Sequence, residues 1–328
     1  SAPQPAAEVG SDDPFPKGRR CRPVREHGRH AEAIESMQRQ YGDGQAHNMT
    51  RRKIIAESGM LSVMGGGLFH QGLLGVKTYT VVKWAYSFQV SLYDANTGEL
   101  LLYTQANRLG QLRTGATTGV AVKHLANPGD ATVGIIGTGG QAATQLAAVS
   151  KVRGIKKIKA FSRTQDRREE FARRMTDTMG VEVFAAASNE DAVRDCDVVL
   201  CIAATMEPVV EGAWLKDGST VIGAGPTTWR AREVDEDTLK RAGKLIVDST
   251  EQAAIEAGDL CSAVDKGIIQ WSKVHELRHV VSGAVTGRDD QGQVVYAKIM
   301  GTGVADVAAA KRAYDSAKAQ GLGTEMDW

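Results

Sequence analysis

One stretch decides the fold of this 328-residue chain: ATVGIIGTGGQA, residues 131–142. Its first half is an apolar run of strand length, and its second half matches the pattern G-x-G-x-x-A where a helix is expected to begin. Gly137 permits a tight turn, Gly139 lets the backbone approach a pyrophosphate, and Ala142 allows the helix to pack closely on the strand. The N–H groups of a helix N-terminus favour phosphate. We therefore predict a dinucleotide site that includes Gly137, Thr138, Gly139, Gly140, Gln141 and Ala142.

The end of the next predicted strand selects the dinucleotide. An Asp or Glu at this place accepts hydrogen bonds from the ribose 2′-OH and repels a 2′-phosphate. The chain instead has Phe161-Ser162-Arg163-Thr164, with no carboxylate before Asp166. Arg163, with Arg168 one turn later, suits a phosphate, and Ser162 and Thr164 are hydrogen-bond donors. The sequence predicts NADP(H); the alternative is that these arginines form only a solvated helix face.

Strands and helices alternate on both sides of this point. Strands are predicted at Ala131–Ile136, Lys157–Phe161, Val181–Phe184, Val198–Ala203, Thr220–Ala224 and Leu245–Val247. Such a βαβ series indicates a parallel sheet of the Rossmann type. Between residues 53 and 105, strands predicted at Gly75–Val82, Ser87–Tyr93 and Glu99–Thr104 indicate an antiparallel α+β region. The expected division is a flexible arm at 1–28, a substrate-binding and dimerisation domain at 29–125 with 300–328, and an NADP-binding Rossmann domain at 126–299.

The composition argues against several classes of partner. The formal charge of +1 gives no reason to expect nucleic acid. No apolar run approaches the roughly 20 residues that span a bilayer, so no membrane partner is expected. Four cysteines without a C-x-x-C pair or a His cluster indicate reduced thiols and no metal site. Because the first residues lack the apolar core of a secretory signal, we expect a cytoplasmic enzyme.

Several separated motifs resemble the ornithine cyclodeaminase/mu-crystallin family. They are Tyr93–Gly98 (YDANTG), Leu112–Ala116 (LRTGA), the Gly137–Ala142 turn, Trp214–Gly218 (WLKDG), Val247–Ser249 (VDS) and Glu256–Leu260 (EAGDL). The resemblance extends from about residue 29 to residue 320. It implies a Rossmann domain, a second α/β domain that forms a homodimer, and hydride transfer between a nicotinamide and the α-carbon of a small amino or imino acid.

One segment departs from the cyclodeaminase branch of that family. That branch has a Gly-Asp pair after the fifth strand that supplies an acidic catalytic residue, whereas residues 223–230 here read GAGPTTWR, with no carboxylate before Glu233. Ornithine cyclodeaminase activity is therefore disfavoured. Trp229-Arg230 and the Ser-Arg-Thr after the second strand are more similar to the ketimine reductase (mu-crystallin-like) branch, which prefers NADPH.

The candidate substrate residues are cationic or lie on a loop beyond a strand. By resemblance, Arg113 and then Arg52, or its neighbour Arg51, would hold a substrate carboxylate, which suits a guanidinium fork. Trp229 and Arg230 would line the pocket, because α/β sheets bind ligands beyond the carboxyl ends of their strands.

Lys77 is the candidate acid. It lies on a predicted strand among apolar residues, and burial would lower its pKa enough for proton transfer near neutrality. The alternative for Lys77 is a strand lysine that is paired with an acid or faces solvent. His70, in the Gly-rich stretch that begins at Gly65, is a weaker candidate.

The leading hypothesis is NADPH-dependent reduction of the C=N bond of a small 2-imino acid, either a cyclic ketimine or an imine formed from a keto acid. Two alternatives stay open. One is an amino-acid dehydrogenase of the alanine type. The other is an NADP-loaded protein of the mu-crystallin type that binds a small ligand.

Overall fold

The computed structural model describes residues 23–83 and 85–326, which form an antiparallel sheet and a parallel sheet connected by helices. The α/β class with a second α+β unit is as predicted. Residues 1–22 of the expected N-terminal arm lie outside the described residues, and the first helix begins at Pro23.

The first sheet is an antiparallel meander in the order β1 to β5. Its strands are β1 (Ala46–Ala56), β2 (Gly59–Leu68), β3 (Leu73–Val82), β4 (Ala85–Asp94) and β5 (Leu100–Gln105). The sequence predicted the last three but neither of the first two. Gly65, Gly66 and Gly67 have low strand propensity, so the sequence gives no clear strand signal over this part of β2.

The second sheet has eight parallel strands in the order β12-β11-β13-β10-β9-β6-β7-β8. Its strands are β6 (Ala131–Ile136), β7 (Ile155–Phe161), β8 (Val183–Ala185), β9 (Val198–Cys201), β10 (Thr220–Gly223), β11 (Ala242–Val247), β12 (Val274–Glu276) and β13 (Val294–Lys298). The chain runs outward from β6 through β7 to β8, then returns to β9 on the other side of β6. This reversal makes the crevice beyond β6 and β9 the expected ligand site.

The helices complete the layers. They are α1 (Pro23–Gly42), α2 (Asn107–Leu125), α3 (Ala142–Val152), α4 (Gln165–Met179), α5 (Asn189–Val193), α6 (Glu236–Arg241), α7 (Thr250–Glu256), α8 (Gly258–Asp265), α9 (Leu277–Val281) and α10 (Gly303–Gln320). Every residue of β6 is buried, as expected for a strand covered on both faces.

Two close approaches join the sheets. α2 lies against α3 so tightly that a Cβ on Gly115 would come within 2.6 Å of the Thr144 carbonyl oxygen. α10 returns to the first sheet, where a Cβ on Gly66 would lie 2.5 Å from the Cα of Val304. The glycines of β2 therefore allow a helix to sit directly on the strand, and this brings the first turn of α10 next to β3.

Candidate active site

The Gly-rich turn between β6 and α3 has the shape that a dinucleotide requires. Gly137 has φ +104°, and a Cβ there would lie 2.9 Å from backbone atoms of Ile202 and Ala203 beyond β9. A Cβ on Gly139 would meet nothing within 4 Å, so space is open above this residue. No described side chain caps the N-terminus of α3. These features fit a bound pyrophosphate.

The end of β7 lies beside this turn. Thr138 Oγ1 donates to Ser162 Oγ over 2.9 Å, which ties the turn to the residues that the sequence predicts to contact the ribose. Arg168 is held in place, because its Nη1 donates to the Ser162 carbonyl at 3.0 Å and its guanidinium lies 5.0 Å from the Phe161 ring centroid. Arg163 is exposed and makes no ion pair with any described residue. A cation without an internal partner at this place fits a 2′-phosphate.

A buried cluster of charged side chains lies on the inner side of the first sheet. Lys77 on β3 and Arg113 on α2 are 4% and 5% exposed, and both contact Asp306 in the first turn of α10. The distances to Asp306 Oδ1 are 3.2 Å from Lys77 Nζ and 2.8 Å from Arg113 Nε. Burial lowers the pKa of Lys77 to about 8; the carboxylate of Asp306 acts against this, and Arg113 adds to it. A lysine of this kind can exchange a proton near neutral pH.

Arg51 enters the same cluster from β1. Its Nη1 pairs with Glu256 Oε2 at 2.5 Å, and its Nη2 donates to the Met300 carbonyl at 3.0 Å. Arg52, the residue preferred from the sequence, is exposed on the strand. Because adjacent side chains of a strand point to opposite faces, only one of the two can face the cluster, and it is Arg51.

The segment after β13 closes the cluster. Asp248, beyond β11, accepts the N–H groups of Met300 and Gly301 at 2.9 and 2.5 Å. Gly301 is pressed against Arg113, since a Cβ on it would lie 2.2 Å from Arg113 Nη1. Burial raises the pKa of Asp248 to about 6 although these N–H donors lower it.

Three buried polar atoms of this cluster have no hydrogen-bond partner among the described residues. They are Arg113 Nη1, Asp306 Oδ2 and Asp248 Oδ1. Buried groups of this kind normally have partners, so their presence together marks a place where a polar ligand would bind.

The loop after β10 lies at the edge of the site. Trp229 is 63% exposed, and the Arg230 guanidinium stacks 5.2 Å from its ring centroid. The preceding part of the loop is fixed to the first sheet, because Lys53 on β1 donates to the Thr227 carbonyl at 3.0 Å and also pairs with Glu256 of α7 at 2.7 Å. Arg230 therefore sits on a loop whose base is held but whose tip reaches solvent.

Glu233, the first carboxylate after that loop, does not face the site. It is fully buried, accepts the N–H of Gly225 at 2.9 Å and pairs with Lys298. Lys298 also pairs with Asp259 at 2.9 Å. Burial acts to lower the pKa of Lys298, but Glu233 and Asp259 outweigh it and raise this pKa above its ordinary value. The loop thus rests on a buried ionic network.

Sequence reasoning missed several residues that the structure brings together. Asp306, Asp248 and Glu256 are each nearly fully buried and each holds a cation or a backbone turn of the cluster. Asp306 carried a usable signal, because it is the one acid in the otherwise apolar segment Val304–Ala310. His70 is exposed in a short 3₁₀ turn, outside the cluster.

Among the described residues, no group of three His, Cys, Asp or Glu could hold a metal ion. No helix in the described ranges is both long and apolar enough to cross a membrane. Cys196, Cys201 and Cys261 are unpaired.

Comparisons with known proteins show the family and the fold of this chain. The profile of the ornithine cyclodeaminase/mu-crystallin family matches residues 23–321. The chain is 32% identical over 263 residues to a Delta(1)-pyrroline-2-carboxylate reductase of Bacillus cereus, which covers 78% of this chain and 81% of the relative. It is 33% identical over 230 residues to the ketimine reductase mu-crystallin of Mus musculus, covering 69% and 68%. The structure of Thermococcus litoralis Delta(1)-pyrroline-2-carboxylate reductase in complex with NADH and L-proline is similar, with a TM-score of 0.87, 30% identity and 92% and 96% coverage.

Proposed function

The chain belongs to the ornithine cyclodeaminase/mu-crystallin family, and from this premise we propose that it reduces the C=N bond of small 2-imino acids to amino acids with NADPH. The observation that carries the proposal is the buried group of Lys77, Arg113 and Asp306, which has unpaired polar atoms and lies next to Gly301. The preferred imine would be a cyclic ketimine or an imine formed from a keto acid.

The substrate carboxylate would bind to Arg113. Arg113 Nε donates to Asp306, whereas Arg113 Nη1 is buried without a partner among the described residues and can donate to a ligand. Arg51 adds positive charge to the same cluster, although one N–H edge of its guanidinium is paired with Glu256. Asp248 would act indirectly, because it fixes Gly301 against Arg113 and so limits where the guanidinium can point.

Lys77 would supply the proton. With its pKa lowered to about 8 by burial, Lys77 is protonated at neutral pH yet gives up its proton easily. Protonation of the imine nitrogen makes the neighbouring carbon a better hydride acceptor. Reduced nicotinamide, when bound, supplies the hydride to that carbon.

The preference for NADPH rests on the end of β7. Arg163 is exposed there without an internal partner, and Ser162, Thr164 and Arg168 stand beside it. The Thermococcus litoralis relative was solved with NADH, so nucleotide choice is a property in which members of the family would differ. A 2′-phosphate on Arg163 would make a charge-assisted hydrogen bond that NADH cannot make.

Deaminating cyclisation is the less favoured chemistry. The loop Gly223–Arg230 contains no carboxylate, and Glu233 is committed to Lys298 and the Gly225 N–H. No acid on this loop is therefore free to act on a substrate amine. Trp229 and Arg230 would instead contact the substrate's distal part, which makes them the residues most suited to select among imines.

We also propose that the protein is a homodimer. The outer face of the first sheet carries Met49, Phe69 and Leu74 with 40%, 54% and 45% exposure, around a shallow apolar groove of about 470 Å³. A second copy of the chain would cover this face, since apolar groups clustered on a surface favour a protein partner. Light scattering of the purified protein should give twice the chain mass of 35.1 kDa.

A panel of imines tests the activity. Purified protein would be incubated with NADPH, and in parallel with NADH, while the absorbance of the reduced nicotinamide is followed. The panel would hold pyrroline-2-carboxylate, piperideine-2-carboxylate, and pyruvate with ammonia or methylamine. Faster oxidation of NADPH with a preformed imine supports the proposal. Activity only with pyruvate and ammonia favours an amino-acid dehydrogenase. Binding of NADPH without any turnover favours a ligand-binding protein.

A further inference from the structure

Asp306 is held in place by the start of α10. The helix begins at Gly303, and the N–H groups of Gly303 and Val304 donate to Asn48 Oδ1 at 2.8 and 3.4 Å. Because the side chain that caps this end comes from β1, the first turn of the helix cannot move independently of the sheet. Asp306, the fourth residue of the helix, is 1% exposed and is thereby fixed opposite Lys77.

The surroundings of Lys77 are cationic and apolar apart from Asp306. Arg113 on α2 and Arg51 on β1 bring positive charge. The other neighbours named here are uncharged. Met64 on β2 lies opposite Lys77 in the strand pair, and the Phe88 ring of β4 lies 5.3 Å from Lys77 Nζ. Among the described residues, Asp306 is the one carboxylate in contact with Lys77. Without it, Lys77 would be a buried amine facing two guanidinium groups.

We propose that Asp306 is a positioning residue for imine reduction, which points the amine of Lys77 toward the substrate nitrogen and keeps that amine protonated until the hydride arrives. This inference rests on the proposed function. In the step, the C=N π bond accepts a hydride at carbon and the Lys77 proton at nitrogen, giving a C–H and an N–H bond. Lys77 is left neutral and regains a proton from solvent after the product leaves.

The ionisation of Lys77 supports this role. Burial lowers its pKa to about 8 and Arg113 lowers it as well, while Asp306 raises it both through its charge and through the hydrogen bond. Removing the charge of Asp306 leaves the lowering effects unopposed, so the amine would lose its proton at a lower pH.

The pH dependence of Asp306→Asn tests the inference. In the wild-type protein kcat for a preformed cyclic imine should fall above about pH 8, and in the variant this fall should begin about one pH unit or more lower. At pH 7 the lowered pKa of Lys77 should by itself reduce kcat about twofold or more, and the loss of orientation should reduce kcat further, while KM does not rise because Arg113 keeps its Nη1 for the carboxylate. The substrate is the same in both proteins, so its own ionisation cannot cause the difference. Asp315→Asn, which removes an exposed charge from the same helix, should behave as wild type.

A second measurement needs no turnover. Protein labelled with ¹³C at the lysine Cε would be titrated by NMR, with the Lys77 signal identified by its absence from Lys77→Met. The midpoint should lie near pH 8 in wild type and lower in Asp306→Asn. An unchanged midpoint and an unchanged pH profile would overturn the inference. If Asp306→Asn does not fold, Asp306→Glu replaces it, and a profile that moves although the charge is kept would likewise overturn it. Absence of imine reduction by the wild type would instead reject the proposed function.

Discussion

Lys77 Nζ lies 3.2 Å from Asp306 Oδ1, although 229 residues separate the two in the chain. The contact joins β3 to a helix that follows the whole parallel sheet, so it forms only when both sheets are in place. The candidate proton donor is therefore assembled by the complete fold.

Replacing Lys77 by Met should stop turnover and leave NADPH binding unchanged. Methionine fills similar volume but has no proton to give, and general-acid catalysis contributes about 10²- to 10⁴-fold to a rate. Single-turnover reduction of a cyclic imine and NADPH titration by fluorescence measure the two properties. Lys311→Met, on the exposed side of α10, is the control. Turnover within a few-fold of wild type would remove Lys77 from the mechanism.

The buried Lys77 should also leave a signature in stability. Its pKa of about 8 lies below the ordinary 10.5, so between these values the unfolded chain binds a proton that the folded chain lacks. The free energy of unfolding contributed by this group therefore rises with pH through that window, by at most about 3 kcal/mol. Compared with Lys77→Met, the wild type should gain relative stability between pH 8 and pH 10.5 in urea titrations. A difference in unfolding free energy between the two proteins that does not change with pH would mean that the pKa of Lys77 is not lowered.

Arg163→Ala should reduce discrimination between the two nucleotides. Loss of one charge-assisted contact with the 2′-phosphate should raise the Kd for NADPH about tenfold and leave the Kd for NADH unchanged. Arg173→Ala changes an exposed arginine in the middle of α4, whereas Arg163 precedes that helix, and it serves as the matched control. Calorimetric titration with each nucleotide measures the effect. If the substitution raises the Kd for NADPH and for NADH equally, Arg163 does not recognise the 2′-phosphate.

Gly139→Val should strongly weaken dinucleotide binding without unfolding the protein. A Cβ at residue 139 would meet nothing within 4 Å, so we expect the melting temperature of the free protein to stay close to that of wild type. The valine side chain would fill the room above the turn that a pyrophosphate needs, and affinity should fall about 100-fold. Retained affinity would place the phosphates elsewhere.

Much of the parallel sheet was predictable because its signals are local. The run of buried residues before Gly137 and the turn that follows it fix a strand, a turn and a helix within 22 residues, Ala131–Val152. The first two strands were not predictable in this way. β1 carries Arg51, Arg52 and Lys53 in succession, and β2 carries three glycines, so neither shows clear alternation.

The candidate site was predictable only in its cations. Lys77 stood out as a charged residue among apolar ones and Arg113 through the family resemblance, whereas their shared partner Asp306 lies in another part of the sequence and depends on the tertiary fold. To decide whether Arg51 or Arg52 faces the cluster, one must know the direction in which each side chain points from β1. That direction depends on register, which a bulge between Met49 and Arg52 shifts.

The most direct test of the central claim follows the hydride itself. The protein would be supplied with NADPH deuterated at C4, in each stereochemical form separately, and with pyrroline-2-carboxylate, and the proline formed would be analysed by mass spectrometry and NMR. The account predicts one deuterium, located at Cα, from one of the two forms, and none when Lys77→Met replaces the wild type. Proline formed without deuterium at Cα from either form, or no proline despite bound NADPH, would contradict it.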